Sequence, residues 1–334
     1  MLNCVPVHLK SKIAIYDFIL NRRLTNVCGD SGSGKTLFRE LIAASQRTPD
    51  VKVSCPVPVV LPPESKITNI RVWLKSLPEC VVVIDEDSVW VDSTEFYDEA
   101  INCSVWLLVI SRSLKTIKAS YSVNEIYKIH ISGKYRTFER MFNPETKYIN
   151  FEHVVTEDSK SGRKLFEKIG ADVVPAYGNA NVLNKVCETA GRLLVVVDGA
   201  NYGKFYRELL PYLDDRVQLL MPESIEQFML NSTFARRHEL VRASLDKPNE
   251  YNANDMKTWE RYYTLVMDVY YHDTAGKSYS KGSLPRCLVE RCCFEKESCQ
   301  LEYYKVTDKI ADMFETNGVS WILEIIDRRN NVSK

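Results

Sequence analysis

The chain has 334 residues, with Lys plus Arg at 44 and Asp plus Glu at 44, so its formal net charge is zero. That length accommodates two cores, and the charge balance excludes a global basic field of the kind that draws a protein to nucleic acid. The first ten residues lack the apolar centre of a secretory signal, and no apolar run is long enough to span a bilayer. The ten cysteines are expected as reduced thiols, so the chain reads as cytoplasmic with no membrane segment.

In chain order, Leu24-Thr25-Asn26-Val27-Cys28 reads as a short strand, and residues 36–44 carry apolar side chains at helical spacing. Between them, Gly29-Asp30-Ser31-Gly32-Ser33-Gly34-Lys35-Thr36 has the form G-x-x-x-x-G-K-[ST]. Gly29, Gly32 and Gly34 permit positive φ, so successive N–H groups can face one anion, and the following helix adds its positive N-terminal end. Asp30, Ser31 and Ser33 complete the turn. Lys35 is expected to reach the β and γ phosphates and Thr36 to hold Mg²⁺, which makes Mg-ATP the expected ligand.

Further on, Cys80-Val81-Val82-Val83-Ile84 is a continuous apolar run, the pattern of a strand buried on both faces, and it ends in Asp85-Glu86. It resembles a Walker B strand, which implies that Asp85 orients Mg²⁺ through water and that Glu86 polarises the attacking water. Val105-Trp106-Leu107-Leu108-Val109-Ile110 is a third strand, ending in Ser111 and Arg112. It resembles the sensor strand of additional-strand P-loop NTPases, which implies that Ser111 and Arg112 sense the γ phosphate. Positions 35 and 85 are too close in sequence for the helical insertion of transporter-type ATPases, and the signature of that class is missing. The proline-rich stretch 56–63 supplies neither the lid nor the acidic residue of a nucleotide kinase. The resemblance therefore points to an AAA-like ATPase of the α/β class, with a P-loop NTPase parallel sheet and helices on both faces.

Residues 121–148 turn polar and basic, with breakers at Ser132-Gly133 and Asn143-Pro144, so a boundary is expected near residue 150. The expected organisation is an ATP-binding domain over 1–150, a second α/β domain over 151–230, and a helical, cysteine-containing extension over 231–334. In the second domain His153–Thr156 reads as a strand ending in Glu157-Asp158, and residues 163–169 as a helix. Residues 193–197 read as a buried strand ending in Asp198-Gly199-Ala200-Asn201, and residues 217–221 as a strand preceding Pro222-Glu223-Ser224. This order resembles a Toprim domain, the metal-binding module of primases, topoisomerases and overcoming-lysogenization-defect nucleases. The resemblance implies that Glu157 and Asp198 meet at the carboxyl edge of a parallel sheet, hold Mg²⁺ and carry phosphodiester cleavage. The family's second aspartate falls on Ala200, and the glycine after its glutamate is Asp158; Asn201, Asp158 or Glu223 are the residues left to complete a metal shell. Asp198 to Asn201 also resembles the opening of PIN-like nucleases, whose later acidic motif is missing.

Cys287, Cys292, Cys293 and Cys299 crowd near the C-terminus, where thiolates are the preferred ligands of zinc, but their spacing is not the paired C-x₂-C of a ribbon and zinc is not favoured. Residues 310–326 read as one or two amphipathic helices. The two-module arrangement is similar to ATP-binding proteins of bacteria and their mobile elements. Two functions follow from it: an ATPase gating a Toprim-like nuclease that acts on DNA or RNA, or an ATP-controlled binding switch whose second domain has lost its chemistry. A homo-oligomer or a protein partner would suit either, with Arg112, Arg136 and Arg140 each available to complete a neighbour's site.

Overall fold

The structure, a computed structural model, describes residues 4–284 except 30–31, 64–68, 92, 113–120, 142–150, 169–171, 204, 206–208, 210–211, 213–215, 233–234 and 249–258. The cysteine cluster Cys287, Cys292, Cys293 and Cys299 and the amphipathic stretch 310–326 lie outside the described residues. The chain divides into two compact units, Met1–Phe142 with Lys247–Lys257, and Asn143–Asp246 with Thr258–Lys334. Both are α/β. No helix among the described residues is long and apolar enough to cross a membrane.

Unit one is built on a sheet of nine described strands: β1 (Val5–Lys10), β2 (Ile15–Leu20), β3 (Leu24–Cys28), β4 (Lys52–Ser54), β5 (Val59–Val60), β6 (Cys80–Asp85), β7 (Val105–Ser111), β8 (Ile126–Ser132) and β9 (Tyr135–Arg140). Their order is β4-β1-β2-β9-β8-β3-β7-β6-β5. The block β8-β3-β7-β6-β5 is parallel throughout. Antiparallel pairs β8/β9, β1/β2 and β1/β4 extend it, so the sheet is mixed where a parallel one was expected. The reason lies in the strands themselves. β8 buries Ile126, Tyr127 and Ile129 but exposes Lys128 and His130, and a strand wet on one face reads in sequence as a polar stretch. The polar segment taken as the approach to a boundary is therefore largely a hairpin of the sheet.

The two edge strands, β4 and β5, are joined by residues 55–58 alone. Five Cα steps from Ser54 to Val59 span at most about 19 Å, whereas nine flat strands would separate their edges by about 38 Å. The sheet must therefore curl strongly. Helix α1 (Lys35–Ser45) lies against its inner face, where Phe38, Leu41 and Ile42 pack in one core with Leu9 and Phe18 from one side and Val83 and Trp106 from the other. Phe18 stacks on Phe138 with ring centroids 3.7 Å apart and planes at 10°, which fastens the β8–β9 hairpin to the rest. Helices α2 (Ile70–Ser76) and α3 (Thr94–Asn102) connect strands of the parallel block, β5 to β6 and β6 to β7, each started by a side-chain cap, Asn69 and Ser93.

Unit two carries a parallel sheet of β10 (His153–Thr156), β11 (Asp172–Pro175), β12 (Leu193–Val196) and β13 (Val217–Leu220), in the order β11-β10-β12-β13. The winding reverses between β10 and β12. The crevice beyond the carboxyl ends of strands at such a reversal is the usual ligand position in an open α/β sheet. The helices are α4 (Ser161–Lys168), α5 (Val182–Glu188), α6 (Gly199–Tyr202), α7 (Ile225–Leu230), α8 (Glu239–Asp246) and α9 (Trp259–Ala275).

Candidate functional site

In unit one, β7 lies between β3 and β6 in a register that levels their ends: Cys28 pairs with Ser111, and Ile110 with Asp85. The glycine-rich loop after β3 and the acidic pair at the end of β6 thus share one edge. Gly32 and Gly34 have φ of +85° and +86°, which L side chains rarely adopt. A Cβ added at Gly34 would stand 3.0 Å from Tyr16 Oη, whose hydroxyl donates to Gly34 O at 2.7 Å. Burial pushes the Tyr16 phenol up to about 12, so it remains a donor. Helix α1 begins at Lys35, and no side chain caps its N-terminus, which leaves first-turn N–H groups for a ligand.

Lys35 is folded back on the loop, donating to Gly29 O at 2.5 Å and Ser33 Oγ at 2.8 Å. Asp85 is paired with Arg39 of α1 at 2.8 Å. Glu86 takes two contacts from one residue, Arg112 Nε at 2.7 Å and Arg112 N at 2.9 Å. A cavity of about 330 Å³ joins these groups, with Gly32 to Thr36, Asp85, Glu86, Arg112 and Arg136 in its wall. Ser111 is buried, its Oγ has no hydrogen-bond partner, and it is not among the residues lining that cavity; Ile110 and Arg112 on either side of it are. Asp30 and Ser31 lie outside the described residues. The donors present fit a polyanion with a hard cation: Mg²⁺ needs only one or two protein oxygens, and Thr36 would offer one, with Asp85 within the same cavity wall.

In unit two, Glu157 follows β10, and Asp198 lies two residues beyond the end of β12. They meet, but through a hydrogen bond to backbone: Asp198 N donates to Glu157 Oε2 at 2.8 Å. Asp198 Oδ1 accepts from Ile225 N at 3.1 Å and so serves the N-terminus of α7, alongside Ser224, whose Oγ accepts from Gln227 N. Asp158 is spent in the same way on α4, accepting from Ser161 Oγ at 2.8 Å and Gly162 N at 2.9 Å. Asn201 donates through Nδ2 to Glu260 Oε2 at 2.6 Å. Glu223 is buried beside the same strand ends.

A cation is already present. Lys281 Nζ donates to Glu260 Oε1 and lies 3.8 Å from Glu226 Oε2, on a residue with no exposed surface. Tyr279 Oη donates to Glu226 Oε1 at 2.6 Å. Burial works against the Lys281 ammonium, but Glu226, Asp198 and Glu260 outweigh it and hold its pKa above the usual range. Burial, with smaller contributions from Glu260 and Asp158, pushes Glu157 up to about 7, and burial then Glu157 push Asp198 in the same direction. The crevice between Glu157 and Asp198 holds about 10 Å³, room for a single water at most. Among the described residues no group of three or more His, Cys, Asp or Glu is arranged to hold a metal ion. The residues around Glu157 and Asp198 therefore do not fit a hydrated Mg²⁺ in this arrangement.

Several members of these two sites had no sequence signal. Tyr16, Arg39, Glu226, Glu260, Tyr279 and Lys281 belong to no motif, and only the fold brings them to the strand ends. Nothing in the sequence prefers Arg136 over Arg112 or Arg140. No protein-family model, no curated protein and no solved structure matches the chain, so its functional reading rests on this geometry and on the motifs.

Proposed function

We propose that unit one is an AAA-like P-loop ATPase that binds Mg-ATP at the glycine-rich loop, and that unit two is a binding module responding to that cycle, with a Toprim-like sheet but without nuclease chemistry. The observation that carries the first part is the single cavity uniting the loop, Lys35 and Thr36 with Asp85 and Glu86. The position of β7 between the loop strand and the acidic strand supports the additional-strand class. Lys35 would exchange Gly29 O and Ser33 Oγ for phosphate oxygens, and the loop N–H groups would take up the remaining charge. Thr36, and Asp85 through water, would hold Mg²⁺, which when bound would neutralise charge on the phosphates. Glu86 would orient the attacking water, with Arg112 holding its carboxylate until nucleotide arrives.

Lys281 supports the second part, because it meets the charge that a divalent ion would otherwise meet. The competing reading, a metal-dependent nuclease, is favoured by one observation, the meeting of Glu157 and Asp198 at the winding reversal of the sheet.

The test has two arms. Lys35→Ala should abolish ATP binding, and Glu86→Gln should bind ATP and lose turnover; undiminished turnover in Glu86→Gln would remove the assignment of that residue. Supercoiled plasmid, single-stranded DNA and RNA should all survive the protein with Mg²⁺ or Mn²⁺, with and without ATP. Cutting that Asp198→Ala abolishes would establish the nuclease instead.

A further inference from the structure

The β8–β9 hairpin overhangs the glycine-rich loop. Val27 of β3 pairs in parallel with Tyr127 of β8, and β8 continues to Ile131, which pairs with Arg136 of β9. Arg136 thus stands four residues, about 13 Å of strand, beyond the level of Val27, on the side where the loop lies. Across the β2–β9 pair, its neighbour is Tyr16. Both approach Gly34: Tyr16 through its hydroxyl, and Arg136 with Nε 3.6 Å from where a Gly34 Cβ would be.

The guanidinium is held at Nη1 and has an unanswered donor at Nε. Nη1 donates to Gly133 O at 2.6 Å and Tyr135 O at 2.9 Å, so the hairpin turn holds it. Nε is buried with no hydrogen-bond partner, and the side chain lines the loop cavity. A buried guanidinium N–H without an acceptor is costly, and an anion in the cavity would relieve it. Arg112, the other arginine of the cavity wall, is already committed to Glu86.

We propose that Arg136 binds the phosphate chain of the nucleotide in cis, as a second cation beside Lys35 carried on the overhanging hairpin. The proposal rests on the nucleotide reading above and assigns to this chain's own hairpin a charge that P-loop ATPases often take from a neighbouring subunit.

The experiment measures ATP affinity by calorimetry, with inorganic tripolyphosphate as competitor, over a range of salt. It compares the full chain with Arg136→Ala, Arg136→Lys, Lys35→Ala and Lys128→Ala, the last removing an exposed charge from the same hairpin. Arg136→Ala should weaken ATP and tripolyphosphate alike by about ten- to a hundredfold, the worth of a charge-assisted hydrogen bond. Arg136→Lys should recover part of the loss, Lys128→Ala should bind like the parent, and the dependence of affinity on salt should be shallower for Arg136→Ala. Unchanged binding by Arg136→Ala would overturn the proposal while leaving the nucleotide site in place. Loss for ATP but not for tripolyphosphate would also overturn it, by moving the contact to the sugar or base. Should Arg136→Ala fail to fold, the uncharged Arg136→Gln takes its place in the same two comparisons. An unmodified protein that binds neither ligand would remove the nucleotide reading itself.

Discussion

At Gly34 two constraints coincide: a φ of +86° and a space closed at 3.0 Å by Tyr16 Oη. Gly34→Ala should therefore cost about 1–3 kcal/mol of stability and most of the ATP affinity, read by denaturant titration and calorimetry; an alanine variant that binds ATP normally would show that the loop conformation is not the binding one. Glu157 imposes a pH dependence of definite sign. Its ordinary value of 4.5 is raised to about 7 in the fold, so between those pH values the native state holds a proton that the unfolded chain has released. Its contribution is fully present below about pH 4.5 and is lost as pH rises to about 7, a loss on the order of 3 kcal/mol. Asp198, raised in the same direction, adds to it. The melting temperature of unit two should fall over that range and Glu157→Gln should flatten the fall; parallel curves for the two proteins would discount the carboxyl. Lys281→Ala would remove the cation facing the buried Glu226, which Tyr279 still hydrogen-bonds, and should cost roughly 2–3 kcal/mol, discounted because the lysine is partly exposed. Mn²⁺ should then stabilise the variant and leave the parent unchanged. Stabilisation of the parent by Mn²⁺, lost on Asp198→Asn, would restore a metal to this edge.

The strands fall into two groups by how plainly their sequence declares them. Strands β6, β7 and β12 are buried on both faces, so their residues form unbroken apolar runs, and the expected bounds nearly coincide with the observed Cys80–Asp85, Val105–Ser111 and Leu193–Val196. Strands β1, β2 and β8 bury some residues and expose others, β9 is half-buried at best, and such half-wet strands average out to ordinary polarity. They were missed for that reason, and with them the hairpin that brings Arg136 to the loop. The hairpin depends on the Phe18–Phe138 stack. Phe138→Ala should cost about 2–3 kcal/mol, somewhat below the value for a fully buried phenylalanine, and should weaken ATP binding with it. Normal ATP affinity in a destabilised Phe138→Ala would separate the hairpin from the site.

Two units with different chemistry at their strand ends should respond to different variables. ATP at a hundred times its dissociation constant should stabilise unit one by about 2.7 kcal/mol, whereas pH between 5 and 7 acts on the carboxyls of unit two. Calorimetry should show one transition moved by nucleotide and another moved by pH; a single transition moved by both would mean that the units unfold together. By itself the sequence determined the α/β class, the buried parallel strands and the loop of residues 29–36, because a continuous apolar run or a glycine-rich turn is a local property that carries its own physical signature. What stands beside Glu157 and Asp198 was decided only by the tertiary structure. Their neighbours Glu226, Glu260 and Lys281 lie up to 124 positions away along the chain, and a carboxylate's role depends on which donors the fold sets beside it.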